Sequence, residues 1–184
     1  MTLYSDAIFG NGLSVPGGED ISVLTDKEGF PYYKASSLKG IFREELSNYL
    51  YWEGNTTKQV NDILEEKMGV SGDDRLDDQT KIRFTNFVLS DAVKEQVKNE
   101  IGENPDRILR AFSYLRTFTA LAENGMTKKG SLRECRCLKK GLIFYGMMKF
   151  DNKDKKLVLD TLSCIKWIGT MRTRGFGQVK LEVI

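Results

Sequence analysis

The chain reads as an α+β domain with a β-α-β-β-α-β core, and three observations carry that reading. Its 184 residues suit one domain with a sizeable core. Hydrophobic residues at 40% together with 17 glycines give the apolar share of a folded protein rather than of a disordered one. Segments in which apolar residues alternate are interleaved with segments in which they recur every three or four positions.

The first strand is expected around Leu3–Phe9, running into Gly10, Gly12, Gly17 and Gly18, a stretch too glycine-rich for regular structure. Residues 21–33 read as extended chain. Over Ser36–Leu50, Leu38, Ile41, Phe42, Leu46, Tyr49 and Leu50 fall three and four apart, the spacing of an amphipathic helix. A helix at Lys58–Met68 precedes a loop with Asp73, Asp74, Asp77 and Asp78. That loop lacks the glycine and closing glutamate of an EF-hand, so it reads as solvated rather than calcium-binding. Lys81–Leu89 alternates as a strand, and Ala92–Ile101 reads as a helix ending before Pro105.

Tyr114–Leu121 and Leu132–Leu138 are expected strands, with a turn-rich Glu123–Gly130 between them. Leu142–Phe150 is apolar at both alternating sets of positions, the pattern of a central strand covered on both faces. Lys153–Ile168 reads as a helix capped at Gly169, and Gln178–Ile184 as the closing strand. Without insertions this order is the ferredoxin-like (RRM-like) plan, on which many RNA-binding modules are built.

Several chemistries drop out on composition. Histidine is absent, which removes Ser-His-Asp and Cys-His nucleophile pairs, HExxH metal sites and two-histidine ribonuclease mechanisms. Cys135, Cys137 and Cys164 have no CxxC spacing and read as free thiols. No apolar run approaches a membrane span, and Met1–Phe9 has no basic region of the signal-peptide kind, so a soluble cytoplasmic protein with no membrane partner is expected.

Charge is divided unevenly. Residues 1–110 hold 13 basic and 20 acidic side chains, a net of −7, whereas residues 111–184 hold 15 and 6, a net of +9. Within 116–140, Arg116, Lys128, Lys129, Arg133, Arg136, Lys139 and Lys140 face only Glu123 and Glu134. Clustered cations gain from releasing the counterions of a phosphate backbone, so a polyanion is the natural partner; a solvated face is the alternative.

Two segments could hold phosphate. Ser36, Lys39 and Arg43 share one helical face, with Ser37 beside them, at the start of a helix whose unpaired N–H groups attract anions. The bland alternative is that Ser36 or Ser37 is simply the N-cap. Ser36-Ser37-Leu38-Lys39 also satisfies S-x-x-K, but the companion elements of acylating enzymes are missing. The second segment is Arg172-Thr173-Arg174-Gly175-Phe176-Gly177, where glycine permits close backbone approach, arginine forks onto phosphate and Phe176 offers a stacking face. An ordinary glycine-rich turn with exposed arginines is the alternative.

With both segments in hand, the chain resembles the RAMP superfamily, specifically the repeated backbone subunit of type III CRISPR interference complexes. The residues that carry the likeness are Gly10–Gly18, Asp20, Pro31, Ser36-Ser37-Leu38-Lys39-Gly40, Arg43 and Arg172–Gly177. The resemblance implies a single domain over 1–184 with insertions near 10–33, 52–80 and 116–140. It implies that the helix-start residues and the glycine loop grip a CRISPR RNA, and that Arg116–Lys140 forms a protruding basic hairpin, with Arg116, Lys128, Lys129 and Arg133 on the RNA. Copies would stack as a filament beside other subunits of the complex, facing a single-stranded target RNA. In cleaving members an aspartate in the loop before the helix promotes metal-dependent cutting by the adjacent 2′-OH. Asp20 is the candidate, holding Mg²⁺ or Mn²⁺ or orienting the 2′-OH; Glu19 and Asp26 compete, although Asp26 suits a turn with Gly29. A scaffold that binds guide without cutting, and a guide-processing ribonuclease, are the alternatives.

Overall fold

The protein is described by a computed structural model covering residues 1–10, 20–70, 81–119, 126 and 131–183. Its longest helix, α1 (Ala35–Trp52), buries Leu38, Phe42, Leu46 and Leu50, one residue per turn. Each such burial contributes about 1.5–3 kcal/mol, which suffices to fix the face that meets the sheet. Helix α2 (Thr57–Met68) starts at a capping box in which Thr56 and Gln59 satisfy each other's backbone N–H groups. It packs on α1, and its last turn is tied to the start of a later helix by the Lys67–Asp154 ion pair at 3.0 Å, with Asp154 buried and Lys67 largely so.

The strands are short. β1 (Thr2–Leu3) pairs antiparallel with β6 (Val179–Lys180) through Thr2↔Lys180 and Leu3↔Val179. On its other side β1 meets the segment 141–145, with Gly141 N–H donating to Leu3 and Phe144 N–H to Met1. That segment continues into β5 (Met148–Lys149), which pairs antiparallel with β2 (Arg83–Phe84), and Val88 pairs with Tyr145. The backbone hydrogen bonds therefore run across the molecule in the order β6, β1, 141–149, β2. Tyr33 and Phe87 exchange two further bonds at the edge, each 2.9 Å. Helix α5 (Lys155–Cys164) packs against α1. Most buried apolar side chains, Leu3, Phe9, Phe42, Phe144, Val158 and Val179 among them, form one cluster.

β3 (Ser113–Phe118) and β4 (Arg133–Leu138) form a six-pair antiparallel ladder, so the expected hairpin is present over these residues. Lys128 and Lys129, the aspartates at 73–78, and Gly12, Gly17, Gly18 and Glu19 lie outside the described residues.

Three expectations need correction. Helix α3 (Asp91–Ile101) is followed by another, α4 (Pro105–Phe112), where none was foreseen. Pro105 starts this helix because the first helical position has no use for an N–H, and Asn104 caps it by accepting from Arg107 at 3.1 Å. The segment Leu142–Phe150 is central but covered on one face only: Phe144 is fully buried, whereas Ile143, Tyr145 and Met147 are 46, 45 and 74% exposed. Finally, α5 ends at Cys164 with Ile165 as its cap, so Gly169 is not a helix cap.

Candidate nucleic-acid interface

Helix α1 begins without the cap that its serines promised. Lys34 is the N-cap residue and makes no side-chain cap, while the Ala35 N–H is taken by Asn86 Oδ1 at 2.9 Å. Ser36, Ser37, Lys39 and Gly40 all stand exposed on the first turn and a half. A cleft of about 260 Å³ opens beside them, with Ser37 and Ile41 of α1 on one side and Gly169, Thr170 and Arg172 on the other. Gly10 and the largely buried Tyr33 also line it. Of the residues singled out in the sequence, Ser37 and Arg172 therefore meet across one opening, whereas Lys39 and Arg174 are not in its lining.

A glycine makes the approach possible. Gly169 has φ +76°, and a Cβ there would lie 2.5 Å from the Ile8 carbonyl oxygen. Only glycine lets the loop press onto the chain beyond β1, where Thr170 N–H donates to Ile8 at 3.1 Å. Tyr33 carries a phenol pushed up by burial and drawn partly back by the Gly169 backbone and the Arg172 charge.

The turn Arg172–Arg174 links this cleft to a second region. Arg174 reaches toward the hairpin, its guanidinium 5.9 Å from the Phe118 ring centre, and Arg116 lies 5.4 and 5.2 Å from the rings of Phe118 and Phe176. Those rings meet edge to face at 5.8 Å. Two exposed arginines are thus held over an aromatic pair, each contact contributing about 0.5–1 kcal/mol. Their charges are positioned while remaining open to an anion.

Asp20 stands at the same place. Its Oδ2 accepts the Glu134 N–H at 2.8 Å, and its own N–H donates to the Glu134 carbonyl at 2.9 Å. The side chain is exposed. The buried Cys135 thiol reports the local charges: burial and the Asp20 charge push its pKa up, and Arg133 and Arg174 pull it down. Asp26 does what a turn residue does, accepting the Glu28 and Phe30 N–H groups at 3.0 Å each around Gly29.

Other candidates have different tasks. Phe176 is 4% exposed and fills a small core with Ile8, Cys135 and Cys137, so it offers no open stacking face. Gly177 is buried, with its N–H donated to Asp6 at 2.7 Å, and it is glycine because a Cβ would lie 1.8 Å from the Ile168 carbonyl oxygen. Gly175 is exposed with φ +84° and open space where a Cβ would go. Arg43 is half-buried and donates to the Gly69 carbonyl at 2.7 Å, linking α1 to the end of α2.

Sequence reading passed over Asp6 and Phe118. Asp6 accepts from Tyr114 Oη at 2.7 Å and from the Lys140 N–H at 2.9 Å, and its carbonyl takes the Gly177 N–H. It joins hairpin to glycine loop, a role that no local pattern announces.

Among the described residues, Asp20 has no second side-chain carboxylate assembled with it into a cation site. No group of three or more histidine, cysteine, aspartate or glutamate side chains fit to hold a metal occurs among the described residues, whereas Mg²⁺ and its relatives ask for several oxygens. One Asp20 oxygen is already engaged by a backbone N–H, and arginines stand nearby.

The molecule is thus an α/β domain with a basic, glycine-lined cleft beside an arginine-bearing hairpin. The RAMP superfamily model matches residues 1–180, and the chain belongs to that superfamily. No curated protein matches its sequence. Two solved structures share the fold: the type III-B Cmr-beta complex bound to cognate target RNA, with TM-score 0.66, and the same complex in its apo state, with TM-score 0.64. In each, a chain 14% identical is matched over 98% of this protein and 94% of its own length. Among the described residues no helix is long and apolar enough to cross a membrane.

Proposed function

We propose that this protein is an RNA-binding subunit of a type III CRISPR effector complex, gripping the guide RNA backbone in the cleft between Ser37 and Arg172. The convergence of those two walls on one opening carries the reading. Membership of the RAMP superfamily and likeness to chains of a Cmr-beta complex bound to target RNA support it. The strand order β6, β1, 141–149, β2, with α1 and α5 packed together, supports the ferredoxin-like plan as its core. Copies of the chain stacked along one guide, beside other subunits, complete the assembly.

Ser37, Lys39, Arg172 and Arg174 hold phosphates and so set register without reading sequence. The test is RNA retention in the full complex by filter binding over a salt series. Arg172→Glu, in the wall of the cleft, is expected to weaken retention equally for unrelated guide sequences; equal retention by wild type and variant would overturn the assignment of this cleft.

Target-RNA cleavage is a second reading, favoured by one observation: Asp20 is exposed yet fixed by its two backbone bonds to Glu134, beside the arginines of the hairpin and the glycine loop. A carboxylate so held suits orientation of a ribose 2′-OH for attack on the adjacent phosphate, with arginine charge next to the developing negative charge. Asp20→Ala in the reconstituted complex is expected to keep target binding and lose cutting. Undiminished cutting would remove Asp20 from the reaction.

A further inference from the structure

The cleft between Ser37 and Arg172 is layered. Ser37, Thr170 and Arg172 stand exposed at its mouth, whereas Phe9 and Tyr33, 1 and 4% exposed, form its floor beside the half-buried Leu24 and Ile41. The mouth offers hydroxyls and a cation; the floor is apolar except for one phenol. That phenol is held in place, because the Tyr33 ring packs on Phe9 with centroids 4.6 Å apart and its backbone exchanges two bonds of 2.9 Å with Phe87. Among the described residues no side chain bonds to its hydroxyl. The Gly169 backbone and the Arg172 charge both act on the phenol, and both belong to the cleft, so the oxygen lies at the opening rather than behind it.

Such layering sorts the parts of a sugar–phosphate chain. A phosphate taken to the floor would give up its hydration to Phe9, Leu24 and Ile41, and therefore stays at the mouth with Ser37 and Arg172. A ribose has C–H faces that an apolar floor accepts and, next to its 3′-phosphate, one hydroxyl that DNA lacks. With the phosphate at the mouth, that 2′-OH is the polar group left to meet the floor, and a phenol can donate to it or accept from it. Burial pushes the Tyr33 pKa up, so the phenol keeps its proton at neutral pH.

We infer that Tyr33 is the specificity-determining residue of this cleft, reading the 2′-OH of one guide nucleotide and so admitting RNA in preference to DNA. The inference rests on the reading that the cleft grips the guide backbone. The test loads the full complex, carrying wild type or Tyr33→Phe, with an RNA guide and with the same sequence bearing 2′-fluoro sugars, which keep RNA-like geometry but have no hydroxyl proton. Retention is read by filter binding. Wild type is expected to hold the RNA more tightly than the analogue. Tyr33→Phe is expected to weaken RNA retention about three- to tenfold, the range for one lost hydrogen bond, and to leave the 2′-fluoro guide unchanged. Ser37→Ala, at the mouth, should weaken both guides alike. Equal loss on both guides in Tyr33→Phe would make the phenol a phosphate donor, and no loss on either would deny it any contact; each result overturns the inference and leaves the functional reading standing. If wild type retains neither guide, the functional reading falls and the inference with it. The melting temperature of Tyr33→Phe checks its fold. Should the variant not fold, equal retention of the two guides by wild type overturns the inference on its own.

Discussion

Within nine residues, Gly169–Gly177, the protein treats one glycine–arginine motif in two opposite ways. Gly169, Phe176 and Gly177 face inward: both glycines press against carbonyl oxygens at distances no Cβ tolerates, and the phenylalanine is core. Arg172, Arg174 and Gly175 face outward, the arginines exposed and the glycine beside open space. A motif that looks uniform on paper is half scaffold and half binding surface. The scaffold half is what aims the other, because the Gly177 N–H and Asp6 lock the loop to the hairpin while Arg172 opens onto the cleft.

Four measurements break or sharpen that contrast. The largest effect belongs to Gly177→Ala, which must adopt φ +78° and clear an oxygen at 1.8 Å. It should lose about 3 kcal/mol or more, read as a large fall in melting temperature or as failure to fold. Next, Arg172→Glu should leave melting nearly unchanged and weaken RNA binding by at least about tenfold, or ~1.4 kcal/mol, with a shallower salt slope. Equal damage to folding from Arg172→Glu would erase the distinction between the two halves.

Third, Gly175→Ala carries only the left-handed backbone strain, about 1 kcal/mol by thermal unfolding, with RNA affinity kept. The smallest and most specific effect concerns the core under the arginines, where burial pushes the Cys137 thiol up to about 11 from 9.0. A raised folded value means that the native state holds the proton more tightly. Its contribution is therefore present below pH 9 and lost as pH climbs toward 11. Cys137→Ser should flatten that stretch of the stability curve; an unchanged slope there would remove Cys137 as its source.

Much of the frame was legible locally. The three- and four-residue spacing of Leu38, Ile41, Phe42, Leu46, Tyr49 and Leu50 announced α1, and the hairpin strands start within a residue of their expected starts, although β3 stops at Phe118, short of Leu121. Helix α4 was missed although Asn104-Pro105-Asp106 is a helix-start signal, because Pro105 was weighed only as a terminator. The open face of 141–149 could not be read from alternation, since apolar residues at both sets of positions look alike whether the second set meets a helix, a partner or water.

What the sequence by itself determined is where helices and strands can form, and that basic charge gathers near the C-terminus, since both follow from the identity of neighbouring side chains. Only the tertiary structure decided which glycines answer to packing and which stand open, that Phe176 is core while Arg172 meets Ser37 across a cleft, and that Asp6 joins hairpin to loop. Those outcomes depend on groups from nine to more than a hundred residues apart coming within a few ångströms, and local pattern holds no record of such distances.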